Sequence, residues 1–184
     1  DNTKKSIPVE RVDDIYVMTE FDFNTSLLNF LSQFGINIHF FNYYGFYTGT
    51  YYPKELLVSG KLLIKQVEHY NDKEKRLNIA KAFIEAASYN IYRNLTYYNN
   101  RGKDLKDYMK EIDFLRKQIK LCKDVPELMG IEGNIRKVYY DSWNIIINQD
   151  IAFEKRVKNP PDNAINSLIS YVNTIIYTRV LSEI

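Results

Sequence analysis

The chain has 184 residues, a net charge of +2 and a pI near 8.4, and 45% of its residues are hydrophobic. This composition predicts a folded protein of one domain or two small ones, and the charge is too mild to indicate a nucleic-acid binder by itself. The single cysteine excludes an internal disulfide, and together with two histidines it cannot form a Cys/His zinc site within this chain.

The first part of the chain predicts a small β-rich domain over residues 1–58. Asn24 is typical of a helix cap and Gly35 of a helix end, so one short helix is predicted between strands. A turn is predicted from Asn42 to Gly45. The four predicted strands are 6–10, 14–18, 36–41 and 46–53.

The last predicted strand is rich in tyrosine, which permits two interpretations. Aromatic rings can stack on single-stranded bases. Tyrosines in a strand more often form a half-buried sheet face or a subunit contact, and we favour that interpretation. His39 has apolar neighbours and no second histidine close in sequence, so it is predicted to pack in the sheet and not to bind a metal.

From Leu56 onward the hydrophobic period changes from two to about 3.6, which predicts a larger all-α domain over 59–184. The fold class is therefore predicted as α+β. Eight basic and four acidic residues fall between Arg101 and Lys123. This excess could follow a nucleic-acid backbone, although such a helix face is usually only solvated. The first three predicted helices are 61–70, 74–98 and 103–121.

The fourth predicted helix, Glu127 to Tyr140, places a carboxylate beside its apolar stripe. Gly130 and Gly133 flank Glu132, and each costs the helix up to about 1 kcal/mol relative to alanine, so we expect a backbone or a ligand to approach closely. Glu132 is therefore a candidate functional carboxylate. The alternative is a half-buried glutamate paired with Arg136 at the favourable i,i+4 spacing.

A basic turn from Lys155 to Pro161 leads into the final predicted helix. Tandem prolines keep the chain extended, and Asp162 or Asn163 then caps the helix. The helix is apolar nearly all round and is predicted to be buried, with one polar row that must meet water, a partner or a polar site. Asn166 begins that row one turn after the basic bend. We therefore expect its amide near whatever the bend binds.

The sequence offers no signal for a membrane or for export. No stretch reaches the ~20 apolar residues of a membrane span. The polar start of the chain is not typical of a signal peptide. We expect a cytoplasmic protein.

Four stretches resemble the CRISPR-associated integrase endonuclease family (Cas-one), which inserts new spacers into CRISPR arrays. Any one stretch is a weak signal, but all four occur in the family's order across almost the whole chain. They are Phe40 to Gly45 with the strand end Gly49 to Pro53; Ser59-Gly60 with Gln66; Gly130 to Gly133 with Tyr139-Tyr140; and Lys158 to Pro161 leading to Asn166 to Tyr171.

The resemblance implies a small N-terminal β domain and a larger helical C-terminal domain. It implies a metal-dependent DNA endonuclease and integrase that uses Mg²⁺ or Mn²⁺ on double-stranded DNA, both the spacer precursor and the CRISPR repeat. The implied assembly is a homodimer that binds a dimer of the small second-numbered Cas protein.

The resemblance also implies site residues. Glu132 matches the family's first metal-binding carboxylate, and Asn163 stands where many relatives have an acid. In the family a histidine and a second acid complete the ligand set beyond the final helix. We therefore expect this sequence to lack that part and the first strand, and to be inactive alone.

The family reaction joins a 3′-hydroxyl of incoming DNA to a phosphodiester of the repeat. Lys155, Arg156 and Lys158 are expected to bind a DNA phosphate, a contact that positions DNA without reading its sequence. Arg136 and Asn166 are further DNA-binding candidates. The hypothesis from another functional class is a non-catalytic helical scaffold that binds DNA or a protein through the basic bend and the tyrosines.

Overall fold

The computed structural model describes residues 6–54, 59–148, 153–158 and 160–183. The predicted boundary near residue 58 and Asn159 of the basic turn lie outside the described residues. Within those residues, three strands and seven α-helices confirm the predicted α+β class. Their order is β1 (Asp14–Val17), α1 (Thr25–Gln33), β2 (Asn37–Phe41), β3 (Tyr47–Tyr51), α2 (Gly60–Asn71), α3 (Lys73–Asn99), α4 (Lys106–Ile119), α5 (Val125–Asp141), α6 (Trp143–Ile146) and α7 (Ala164–Glu183).

The chain divides into two compact units. The sheet unit comprises residues 1–58 with 158–184, and the helical unit comprises residues 59–157. The final helix α7 thus belongs to the sheet unit, whereas the predicted domain 59–184 grouped it with the other helices. Side chains at the end of α7 bond to polar groups of the sheet, and these contacts are long-range in sequence.

The sheet has the strand order β1-β2-β3. β1 runs parallel to β2, with Asp14 opposite Asn37, and β3 pairs antiparallel to β2. Leu31 of α1 packs with Ile36 and Ile38 to form the buried centre of this unit. The predicted strand 6–10 is wrong: this stretch contains only a 3-10 turn that follows Pro8, whose ring nitrogen has no hydrogen to donate to a neighbouring strand.

Local side-chain bonds form the predicted cap and turn. Asn24 Oδ1 accepts a hydrogen bond from the Leu27 amide at 3.0 Å and so caps α1. Gly35 follows α1 with a φ of +69°, a conformation that glycine adopts at no steric cost. Asn42 Oδ1 accepts bonds from the backbone amides of Tyr44 and Phe46, which closes the turn between β2 and β3.

His39 is fully buried, as predicted, and it joins the sheet to α7. Its Nδ1 lies 2.7 Å from the Thr50 hydroxyl, and its Nε2 lies 2.9 Å from the Ser182 hydroxyl and 3.7 Å from Asp14 Oδ1. Arg179 of α7 donates to the other oxygen of Asp14 at 2.5 Å. Burial lowers the pKa of His39, and it outweighs the attraction of the nearby Asp14 carboxylate.

Acid should destabilise the sheet unit through both groups. The pKa of His39 is lower in the folded protein than in the unfolded chain, where it has its ordinary value of about 6.5. Below about pH 6.5 the unfolded chain therefore binds more protons than the folded protein. The stability of the folded protein falls as the pH drops below that value. Burial opposes ionisation of Asp14, but hydrogen bonds from Arg179, Ser182 and Asn37 hold its pKa below the usual range. The Asp14 contribution is therefore lost only at lower pH, as the pH falls through its folded pKa.

Hydrogen exchange of the β2 amides, corrected for intrinsic rates, measures this effect between about pH 7.5 and 5.5. We expect protection to decrease toward pH 5.5, by at most about 1.4 kcal/mol per pH unit for one proton. His39→Gln should remove this dependence, and His69→Gln on α2 should retain it. Equal pH dependence in the wild type and His39→Gln would contradict the assignment.

The predicted burial of α7 is wrong. Four apolar residues at i,i+4 spacing are 42–61% exposed: Leu168, Val172, Ile176 and Val180. The side of α7 that is buried carries Asn166 and Thr178 instead. Near the end of α7, Ser182 and Arg179 bond to His39 and Asp14 of the sheet, which directs this polar side of the helix toward the strands.

The helical unit has its own core between α3, α4 and α5. Its fully buried members come from all three helices and from the turn before α4: Leu95, Leu105, Ile112, Ile119, Leu128 and Ile135. Phe83 of α3 is exposed and lines an open groove between α2 and α3. No helix of the described chain is long and apolar enough to cross a membrane.

Candidate functional site

The helix that carries Glu132 has a well-defined start. Asp124 Oδ1 accepts a hydrogen bond from the Glu127 amide at 2.8 Å, and the Glu127 carboxylate accepts one from the Lys123 amide at 2.6 Å. This reciprocal pair satisfies two backbone donors that would otherwise lack partners. The cap holds α5 in one register, so its apolar stripe faces the core and Glu132 lies at the edge of that stripe.

Glu132 is half-buried, with 25% of its side chain exposed. Leu128 and Ile135, on the adjoining face of α5, are buried in the core. Arg136, one turn later and 60% exposed, forms an ion pair with the Glu132 carboxylate. The structure therefore contains the pair that the sequence offered as an alternative to a functional role, and the exposed arginine makes that pair worth no more than about 1 kcal/mol.

The two glycines beside Glu132 border open space. A Cβ atom added at Gly130 or Gly133 would meet no atom within 4 Å in the part of the chain that the structure describes. The expected close approach is therefore not made by a neighbouring segment of that part. Alanine would fit both positions and favour the helix. The absence of side chains leaves this edge of α5 accessible to a ligand.

An aromatic cluster occupies the next two turns beyond Glu132. Tyr139 lies seven residues after Glu132, so both project from the same side of α5, about 10 Å apart along the axis. Asn94 of α3 donates to the Tyr139 hydroxyl at 2.6 Å, and the Trp143 ring packs edge-on against Tyr139 at a centroid distance of 5.5 Å. Burial raises the pKa of Tyr139, so its phenol remains neutral and can act as a hydrogen-bond donor.

The basic segment of the helical unit starts from a buried anchor. Phe153 is 1% exposed and packs against Tyr140 and Trp143, at centroid distances of 5.5 and 5.3 Å. The Asn144 side chain bonds to both backbone polar groups of Phe153: its Nδ2 donates to the carbonyl at 2.9 Å, and its Oδ1 accepts from the amide at 2.9 Å. This two-bond clamp fixes where the segment 153–157 begins. Sequence analysis missed it, because nothing in the local pattern relates Asn144 to Phe153.

The clamp presents two of the predicted cationic residues. Lys155 is exposed, and Arg156 is half-buried with its Nη1 donating to the Val157 carbonyl at 2.6 Å. They lie two and three residues after Phe153, with Glu154 between. Their predicted contact with a DNA phosphate remains a prediction.

Lys158 and Asn166 belong to the sheet unit. Lys158 is exposed. Asn166 is fully buried: its Nδ2 donates to Asp162 Oδ1 at 2.7 Å, and its backbone amide donates to Asn163 Oδ1 at 2.8 Å. Asn163 thus caps α7, one of the two residues predicted to do so, and the Asn166 amide organises the first turn. A role of Asn166 in DNA binding stays a prediction.

Glu132 fits a divalent cation as one oxygen ligand of the kind that Mg²⁺ and Mn²⁺ prefer. The residues that the structure describes contain no group of three or more His, Cys, Asp or Glu side chains able to hold a metal ion. His39 is engaged in the sheet unit. A single carboxylate that pairs with an exposed arginine can exchange that partner for a cation at little cost.

Comparison with known proteins gives consistent results. The family model described as "CRISPR associated protein Cas1" matches residues 1–184. The CRISPR-associated endonuclease Cas1 of Fusobacterium nucleatum is 67% identical over 181 residues, which cover 98% of this chain and 54% of that protein. This chain spans about half the length of the curated relatives it matches.

Solved structures share the fold. A Cas1 protein from Thermotoga maritima superposes with a TM-score of 0.79 at 44% identity, covering 97% of this chain and 55% of that one. A Cas6-RT-Cas1–Cas2 complex has a TM-score of 0.76 at 18% identity, covering 97% of this chain and 20% of that one. A casposase bound to integration product has a TM-score of 0.74 at 22% identity, with coverage of 90% and 47%. At such identities the last two indicate a common fold only.

Proposed function

This chain belongs to the CRISPR-associated Cas1 family, and from that premise we propose that the full-length protein is a divalent-metal-dependent DNA endonuclease and integrase. It inserts spacer DNA into CRISPR arrays by phosphodiester transesterification. The observation that carries the proposal is Glu132, a carboxylate at the edge of the α5 core stripe with open space at the glycines on both sides.

The chemistry follows from where charge develops. A 3′-hydroxyl of the incoming DNA attacks a phosphodiester, so negative charge accumulates on the phosphoryl oxygens and on the leaving oxygen. A divalent cation bound at the site would neutralise that charge and would lower the pKa of the attacking hydroxyl. Glu132 is the ligand this chain contributes, and its half-buried position restricts the directions from which water reaches the carboxylate.

The cationic residues position the DNA. Arg136 lies one turn from Glu132 and is exposed, so it can exchange its carboxylate partner for a phosphate when a cation takes the carboxylate. Lys155 and Arg156 follow the Phe153 anchor, and we assign them, with Lys158 and Asn166, to backbone contacts that carry no sequence information. The implied polymers are a double-stranded spacer precursor and the CRISPR repeat.

We also propose a homodimer that binds a dimer of the small Cas2 protein. A protein of the same fold occurs in a Cas6-RT-Cas1–Cas2 complex, which supports the choice of partner. Another protein of this fold is bound to an integration product, which supports the reaction class.

The non-catalytic scaffold remains the second candidate because the ion pair between Glu132 and Arg136 is present. Under this hypothesis Glu132 only forms a helix ion pair with the exposed Arg136, and the protein binds DNA or a partner without cutting it. The two candidates differ in whether strand cleavage depends on a metal and on this carboxylate.

Metal dependence tests the proposed reaction directly. The full-length protein is incubated with a labelled duplex that contains a CRISPR repeat and a second duplex with free 3′-hydroxyls, in EDTA, Mg²⁺ or Mn²⁺. We expect cleaved and joined strands with either metal and neither product in EDTA. Equal product in EDTA would refute metal catalysis, and binding without any product under all conditions would favour the scaffold.

A further inference from the structure

The second half of α3 and the turn after it have an unusual composition. Residues 86–103 contain no acidic residue, three basic residues and four tyrosines. Four of these side chains form what we call the tyrosine–arginine strip: Tyr89, Arg93, Tyr97 and Arg101. All four are exposed, with Tyr89 at 50% and Tyr97 at 49%.

Three members of the strip lie on one face of α3, and Arg101 lies in the turn that follows the helix. Tyr89, Arg93 and Tyr97 are spaced at i,i+4 and fall within about 80° around the helix axis. Ser88 and Leu95, on other faces of α3, are buried. The strip is therefore the outward face of α3, and packing of the helical unit requires none of its rings.

An arginine lies over each of the two rings. The Arg101 guanidinium lies over the Tyr97 ring, 4.2 Å from its centroid. Arg116 of α4 lies 5.6 Å from the centroid of Tyr89 and donates to the Ser88 hydroxyl at 3.3 Å. These contacts restrict the orientation of exposed rings that would otherwise rotate freely. Binding of a ligand to the rings therefore loses less conformational entropy.

The strip itself carries two cations and no acidic residue. Within the described residues, neither Arg93 nor Arg101 forms an ion pair with a carboxylate. Glu85 lies one turn before Tyr89 on the same side of α3, and Asp104 lies three residues after Arg101, so one carboxylate borders each end of the strip. The cations can therefore contact anionic groups of a ligand without displacing a carboxylate.

We propose that the tyrosine–arginine strip binds single-stranded nucleic acid by stacking bases on Tyr89 and Tyr97 and holding phosphates with Arg93 and Arg101. Exposed aromatic rings interspersed with cations are the chemistry that single strands require, whereas a duplex hides its base faces. The two rings lie about 12 Å apart along the axis, a span of three to four nucleotides at about 3.4 Å each.

This inference deepens the proposed function and rests on it for the choice of DNA: integration produces and consumes DNA ends, and unpaired strands arise there. The test uses the full-length protein and a fluorescein-labelled oligo-dT of about 20 nucleotides, with anisotropy read in EDTA so that no cleavage occurs. Failure of the proposed cleavage would leave this binding intact, and failure of this binding would leave duplex cleavage intact.

We expect the double variant Tyr89→Ala/Tyr97→Ala to weaken oligo-dT binding at least about 30-fold. Tyr89→Phe/Tyr97→Phe should bind like the wild type, because phenylalanine preserves the ring and removes only the hydroxyl. Arg93→Gln/Arg101→Gln should lower the slope of log K against log salt by about 1.4, which corresponds to two phosphate contacts.

The matched control is Tyr70→Ala. Tyr70 is also exposed and also has an arginine over its ring, Arg76 at 5.3 Å, but it lines the apolar groove between α2 and α3. We expect this variant to keep oligo-dT affinity. Circular dichroism verifies that all variants retain their helix content.

Three results would overturn the proposal. The first would be a wild type that does not bind oligo-dT, and the second an alanine double variant that binds it as tightly as the wild type. The third would be an alanine double variant that loses a subunit contact in sedimentation while its oligo-dT affinity is unchanged. The last result would identify the strip as a protein interface.

Discussion

Replacing Glu132 by glutamine in the full-length protein is expected to reduce metal-dependent strand cleavage and joining by at least about a thousandfold. Glutamine keeps the size of the side chain but removes the charge that binds a cation. Loss of a cation that contributes several kcal/mol to the transition state produces an effect of this size. Cleavage and joining of labelled duplexes at saturating DNA measure it.

Folding and DNA affinity should survive this substitution. The ion pair found for Glu132 among the described residues is with Arg136, which is 60% exposed, so the free energy of unfolding should change by no more than about 1 kcal/mol. Glu111→Gln is the matched control, because it removes the same charge from an exposed position of α4 and should retain activity. Arg136→Gln breaks the same ion pair and should weaken DNA binding while turnover at saturating DNA remains.

The Glu132→Gln result separates the two functional candidates. A scaffold predicts the same small stability change for Glu132→Gln and Arg136→Gln and no chemistry to lose. If Glu132→Gln still cuts and joins DNA at the wild-type rate, the proposed role of this carboxylate is wrong.

Phe153→Ala is expected to destabilise the helical unit by about 3–5 kcal/mol. Phe153 is almost completely buried against Tyr140 and Trp143, so truncation leaves a cavity between two rings that cannot easily close it. Urea unfolding followed by the fluorescence of Trp143, the one tryptophan of the chain, reports on this position directly. Because the basic segment begins at Phe153, DNA affinity should fall as well.

Two further variants separate the contribution of Phe153 side-chain packing to stability from that of the Asn144 hydrogen bonds. Phe153→Leu keeps most of the apolar volume and should cost clearly less than Phe153→Ala. Asn144→Ala leaves the ring in place but removes both bonds to the Phe153 backbone, which we expect to cost about 1–3 kcal/mol. Phe114→Ala on the exposed face of α4 is the control and should change stability by no more than about 0.5 kcal/mol. Similar costs for Phe114→Ala and Phe153→Ala would contradict the anchor assignment.

Sequence analysis was most successful where neighbouring residues determine structure. The caps of α1 and α7 were predicted because Asn24 and Asn163 bond to backbone amides three residues away. The helix around Glu132 was predicted because its apolar residues recur every three or four positions. The strand predicted over 6–10 failed because of a single residue. Pro8 has no amide hydrogen to donate to a neighbouring strand, and the stretch forms a turn.

The candidate site was predictable in part. Glu132 was proposed as a candidate from its place beside the apolar stripe and from a family motif; the structure puts it at the edge of the core, and its functional role stays a prediction. The partners that shape its surroundings were not identified, because the bond from Asn94 to Tyr139 joins residues 45 positions apart. Such contacts depend on how helices pack, and no local period encodes them.

By itself the sequence determined the α+β class, most of the helix and strand positions and the carboxylate that the family motif marks, because hydrophobic period, caps and glycines act over a few residues. Only the tertiary structure decided where α7 belongs, which of its sides is buried, and that Asn144 holds Phe153. Those outcomes depend on polar groups that are distant along the chain and become neighbours only after folding. The side chains of His39 and Asp14 are buried and bond to Ser182 and Arg179, which are more than a hundred residues away in the chain, and leaving these two groups unpaired in the interior would cost free energy.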